Sequence, residues 1–151
     1  MEKNIHKEIK EYPAFLSHKE CREVLAILDR NPIPGTGIQS NPGLAWELIK
    51  IVGHKLPEFS FVEFVSTGNT REPIEKHVDP LLDQRVTHKL LVYLQVPSNG
   101  GGTFFDDSIY IKPEEGKAVV FDIRIPHHSE WFPKGELKRV FGLRMFKKQP
   151  K

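Results

Sequence analysis

His77-Val78-Asp79 sets an imidazole and a carboxylate two positions apart. On an extended backbone side chains alternate faces with period 2, so both groups point the same way. Together they are two-thirds of a 2-His-1-carboxylate facial triad, the ligand set that holds non-haem Fe(II) and leaves coordination positions open. In a chain with seven histidines such a pair also arises by chance, as an ordinary polar loop. Its weight depends on a third ligand and on a scaffold that brings that ligand to it.

Candidates for the rest of a site lie downstream. Phe121-Asp122-Ile123-Arg124-Ile125-Pro126-His127-His128 brings a strand to its end at a histidine pair. In a jelly roll, strands far apart in sequence lie side by side, so His127 would meet His77 and Asp79 across the barrel mouth. Arg139 opens the last strand and shares parity with Phe141, Leu143 and Met145, which predicts an inward guanidinium. Such a group can hold a carboxylate through two parallel hydrogen bonds. Asp106-Asp107 reads as a charged turn in preference to a second metal site. His6, His18, His54 and His88 have no partner pattern and read as solvated.

The elements that must position these residues fall into two halves. Ser17-His18-Lys19-Glu20 is a capping box opening a helix with Cys21, Val24, Leu25 and Leu28 on its apolar stripe. Asn31 to Ser40 reads as a Pro/Gly-rich loop. Asn41-Pro42 is an N-cap with Pro at N1, and Ala45, Leu48, Ile49 and Val52 form the stripe of a second helix closed by Gly53. A first strand is expected near Glu8 to Phe15. After the helices come strand patterns over Phe59–Val65, Leu90–Val96, Thr103–Ile111, Lys117–Phe121 and Lys138–Phe146. Thr67 to Lys76 reads as a loop or flap over substrate. Two helices followed by many short strands predict a mostly β (α+β) fold, a sandwich or barrel with the N-terminal helices packed on one sheet.

Composition limits the function classes. The 151 residues are 38% hydrophobic, 28% charged and 10% aromatic, as in one globular domain spanning 1–151. A net charge of +2 with a pI near 8.6 is far from a nucleic-acid-binding balance, and no basic stripe interleaved with aromatics flanks the histidines. Cys21 is the single cysteine, which suits a reducing compartment. No apolar run reaches membrane-spanning length, and the charged N-terminus has no signal-peptide core. The expectation is a cytoplasmic protein without a membrane partner. Its oligomeric state is not readable.

At these residues the chain resembles the Fe(II)/2-oxoglutarate-dependent dioxygenase superfamily, in its prolyl 4-hydroxylase-like branch. The resemblance is carried by His77-Val78-Asp79, Arg85-x-Thr87, Tyr93-Leu94 and Gly101-Gly102-Thr103-Phe104. It continues through Pro113-x-x-Gly116-x-Ala118-Val119-Val120-Phe121, Pro126-His127, Gly135 and Arg139. These occur in the family's order. They imply a double-stranded β-helix (jelly roll, cupin-like), with a helical preamble about 17–54 and a core about 59–146. They imply Fe(II) bound by His77, Asp79 and His127, with His128 as the alternate metal ligand. The cosubstrate 2-oxoglutarate would be held by Arg139 and Tyr93, with Lys138 and Arg144 as alternates for Arg139. Thr87 and Leu91, which share parity with Tyr93, would line the pocket. A tyrosine that many relatives carry just before the His-x-Asp is absent from Ser66–Lys76.

The implied activity is hydroxylation of a peptidyl, prolyl-like substrate or a small amino-acid-type molecule. It would consume O2, release succinate and CO2, and be supported by ascorbate. Two other readings fit the bare residues: a zinc-dependent hydrolase on a cupin-like fold, and a non-catalytic β-helix that binds a ligand. The first lacks HExxH spacing and gives Arg139 no role; the second needs no metal.

Overall fold

A computed structural model describes residues 9–31, 37–70, 75–80 and 82–148. The element order is β1 (Ile9–Tyr12), α1 (His18–Arg30), β2 (Gly37–Ser40), α2 (Pro42–Val52), β3 (Phe59–Thr70), β4 (His88–Gln95), β5 (Thr103–Phe105), β6 (Ile109–Ile111), β7 (Ala118–Asp122), β8 (His127–Ser129) and β9 (Lys138–Lys147). A six-stranded antiparallel sheet runs β1-β7-β4-β9-β3-β2, and a three-stranded sheet runs β6-β5-β8. Among the described residues, five of the seven strand pairings join strands that are not consecutive in sequence, as in a double-stranded β-helix. Among the described residues no helix is long and apolar enough to cross a membrane.

Local chemistry sets the helices. Ser17 Oγ accepts from the Glu20 N–H, and the Glu20 carboxylate accepts from the Ser17 N–H, satisfying two donors that a helix start leaves free. Asn41 caps α2 by accepting from the Leu44 N–H, with Pro42 in the first turn. Cys21, Val24 and Leu28 of α1 pack with Leu44, Ala45, Leu48 and Val52 of α2 against the large sheet. The stretch expected to be all loop before α2 contains β2, an edge strand paired with β3. The expected flap is partly strand: β3 runs on to Thr70, and residues 71–74 lie outside the described residues.

The large sheet is buried on both faces, and this positions the site. Leu90, Val92 and Leu94 of β4 and Phe141, Leu143 and Met145 of β9 face the helices. Residues of opposite parity face the small sheet. At one end they fill a second core, Tyr93, Phe105, Ile111, Val119, Phe121 and Ile125. Elsewhere they open onto a cavity of about 260 Å³.

Candidate metal centre

The His-x-Asp segment is not in a sheet proper. It is held by one antiparallel bridge, in which His77 N–H donates to the His127 carbonyl and His127 N–H to the His77 carbonyl, both at 2.9 Å. Residues that exchange both bonds lie directly opposite, so their side chains leave on the same side. Asp79 follows by parity, while Val78 between them is half exposed. His77 and Asp79 thus meet His127 at the start of β8, and one donor atom from each lies within 4.8 Å of the others.

The hydrogen bonds fix which atoms face inward. Nδ1 of His77 lies 2.7 Å from the Glu75 carbonyl, and Nδ1 of His127 lies 3.0 Å from the Ile125 carbonyl. A carbonyl only accepts, so each Nδ1 carries a proton and each Nε2 is the nitrogen turned toward Asp79. His77 Nε2 is 3.2 Å and His127 Nε2 3.7 Å from Asp79 Oδ1. Burial pushes the His127 imidazole down to about 4, against the pull of Asp79, so it is neutral at neutral pH. With both imidazoles in the neutral form the three groups converge as lone-pair donors, the form in which they would hold a cation. Ligands at right angles about 2.1 Å from a metal stand roughly 3 Å apart, close to the shorter of these separations. The donor set fits a divalent metal of the facial-triad kind.

The far oxygen of Asp79 faces two cations. Lys89 Nζ is 2.8 Å from Oδ2, and Arg144 NH2 is 3.6 Å from it. Burial raises the Asp79 carboxyl, but Lys89, His127 and Arg144 outweigh that and hold it at about 2. Lys89 and Arg144 are themselves pushed down by burial. Lys89 is the residue the sequence reading passed over, although it shares parity with Leu91 and Tyr93.

The other candidates divide sharply. Lys138, Arg144 and Leu91 line the cavity with Thr103 and Val140. Burial pushes Lys138 down to about 8, and its ammonium sits 5.7 Å from the Tyr93 ring centre. The Tyr93 hydroxyl shares a 2.6 Å hydrogen bond with Thr103 Oγ1 and is fully buried in the inter-sheet core. Arg139, expected inside the barrel, points the other way and pairs with Asp29 of α1 at 2.9 Å. Its parity with Phe141, Leu143 and Met145 holds, but those residues face the helices and not the cavity. Thr87 bonds the His88 ring through its hydroxyl and is not among the described cavity-lining residues. His128 stacks on Phe104 with ring centres 5.0 Å apart and lies 3.7 Å from Asp107, outside the donor cluster. Asp106 and Asp107 are the tip of the β5–β6 hairpin, both with positive φ, and form a turn.

Solved structures share this architecture. The viral collagen prolyl hydroxylase of Paramecium bursaria Chlorella virus-1, solved as its 2OG complex, matches with a TM-score of 0.63 at 19% identity, over 94% of this chain and 97% of that one. A prolyl-4-hydroxylase from Pseudomonas putida matches with a TM-score of 0.63 at 17% identity, over 94% of each chain. The carbocyclase SnoK from nogalamycin biosynthesis, described as non-haem and alpha-ketoglutarate-dependent, matches with a TM-score of 0.71 at 13% identity, over 95% of this chain and 82% of that one. The fold is that of the 2-oxoglutarate/Fe(II) oxygenases. No family model and no curated protein matches the sequence. The double-stranded β-helix expected from the ordered motifs is therefore the architecture found, helices on one sheet included.

Proposed function

We propose that this protein is an Fe(II)- and 2-oxoglutarate-dependent oxygenase that hydroxylates a small amino-acid-type or peptidyl substrate. The observation that carries the reading is the convergence of two imidazole lone pairs and one carboxylate oxygen on a cavity that also holds a buried lysine. His77 Nε2, Asp79 Oδ1 and His127 Nε2 would hold the metal. Bound Fe(II) with 2-oxoglutarate and O2 supplies the oxidising chemistry, and 2-oxoglutarate leaves as succinate and CO2.

The chain's own residues position and shield. Lys138, in place of Arg139, would receive the distal carboxylate of 2-oxoglutarate, because it is the cation of this strand end that faces the cavity. The Tyr93–Thr103 pair beside it orients that end of the cavity, with Leu91 and Val140 as apolar wall. Lys89 and Arg144 hold Oδ2 of Asp79, so one carboxylate oxygen is left for the metal. The prolyl hydroxylase relatives support a peptidyl substrate. A cavity of about 260 Å³, just below the roughly 300–1,000 Å³ typical of ligand pockets, supports a small one. The lone Cys21, buried, is consistent with a cytoplasmic setting.

Succinate formation with Fe(II), ascorbate and 2-oxoglutarate, across a panel of amino acids and peptides, tests the assignment. Wild type is expected to form succinate and Asp79→Ala is not. Full succinate production by a folded Asp79→Ala variant would sink it.

A further inference from the structure

Arg144 is the largest side chain of the described residues to be fully buried, 2% exposed, and it lines the cavity. Its Nε and NH1 are buried without a hydrogen-bond partner, and its NH2 stands 3.6 Å from Asp79 Oδ2. Lys89 Nζ occupies the same oxygen at 2.8 Å. The lysine side chain lies against β9 at Gly142, where a Cβ would stand 2.7 Å from Lys89 Cε. A glycine inside a strand marks such a close approach. The two cations are thus built into the cavity wall.

Their charge has no adequate partner. Asp79 is the one acidic residue among the described residues that line the cavity. Both cations share its Oδ2, while its Oδ1 faces the histidines. A guanidinium remains charged at any physiological pH. With the Asp79 charge and one carboxylate of 2-oxoglutarate balancing a divalent metal, and the distal carboxylate balancing Lys138, the charges of Lys89 and Arg144 are left in excess. An unmatched buried charge with open N–H groups is strongly disfavoured, and an incoming anion removes the penalty.

We propose that Lys89 and Arg144 form an anion subsite for the substrate, which is a small acid presenting a carboxylate or phosphate to the free N–H groups of Arg144. This deepens the oxygenase reading and rests on it. The guanidinium fork suits the planar or trigonal oxygens of those two groups. A free amino acid brings such a carboxylate; an internal residue of a peptide brings none.

The test uses the full chain loaded with Mn(II) and saturated with 2-oxoglutarate. Mn(II) relaxes the proton signals of any small molecule held near it, so weak binding is readable by NMR. Acetate and acetamide are the probes, equal in shape and different in charge. The methyl protons of acetate are expected to relax about tenfold more strongly than those of acetamide, the ratio that one charge-assisted contact supports. Lys89→Met and Arg144→Met should each bring acetate to the acetamide level. Equal relaxation of the two probes by wild type overturns the proposal, and that comparison needs no variant. Acetate relaxation that survives both substitutions means direct ligation of the metal and also overturns it. Inorganic phosphate, read by its phosphorus signal, decides between the two anion classes. The methylene protons of 2-oxoglutarate report on the underlying reading: if Mn(II) leaves them unrelaxed, the cosubstrate site itself fails before any probe is added.

Discussion

The two faces of the large sheet are built from the same strands and do opposite work. On β4 and β9, Leu90, Val92, Leu94, Phe141, Leu143 and Met145 form a continuous apolar layer under the helices. One residue out of phase, Lys89, Leu91, Lys138, Val140, Gly142 and Arg144 face the cavity. The first face gains stability by removing apolar surface from water. The second gives some of it up, since burial disfavours the charged forms of Lys89, Lys138 and Arg144. Adjacent residues on one strand can therefore be assigned to stability or to chemistry by parity alone, once it is known which side each parity faces.

The largest expected effect is on the helix face. Leu143→Ala should cost about 2–5 kcal/mol in denaturant unfolding. The protein that remains folded should bind Fe(II) and 2-oxoglutarate as wild type does. Loss of cosubstrate binding in that folded protein would break the division of labour. Lys138→Met is the converse. Replacing a buried cation that lacks a close acidic partner by an apolar chain should leave the melting temperature unchanged or raised. Affinity for 2-oxoglutarate should fall roughly 10- to 100-fold, the worth of a hydrogen bond to a charged group, as read by titration calorimetry.

A pH series sharpens the same point. Burial places the free Lys138 ammonium at about 8, so the cation is present below that pH and lost above it. The Kd for 2-oxoglutarate should be flat below pH 8 and weaken up to about tenfold per unit above it. Lys138→Arg, charged throughout, should flatten the profile. The smallest effect belongs to Arg139→Met. Its ion pair with the exposed Asp29 is worth less than about 1 kcal/mol, and the affinity for 2-oxoglutarate should not move.

Much of this was legible in the sequence where local chemistry decides. The capping box at Ser17, the Asn41-Pro42 helix start and the shared face of His77 and Asp79 need only backbone periodicity. What escaped needs the tertiary arrangement. Parity placed Arg139 with Phe141, Leu143 and Met145 and took apolar to mean the barrel interior. Because helices cover that side, apolar residues mark both faces, and the polar residues of opposite phase mark the cavity. Lys89 went unnoticed for the same reason, as a charge inside an apolar strand. β2 and β8 are short, four and three residues, and get their strand character from their partners rather than from their own residues.

The most direct measurement is the visible spectrum of the protein with Fe(II) and 2-oxoglutarate under anaerobic conditions. It needs no substrate and distinguishes bound cosubstrate from a metal held alone. The wild-type protein should develop a metal-to-ligand charge-transfer band that is absent when either component is left out. His77→Ala should lose it while keeping its melting temperature, since His77 is the least buried of the three ligand candidates. A folded, iron-loaded wild-type protein that shows no such band would contradict the assignment.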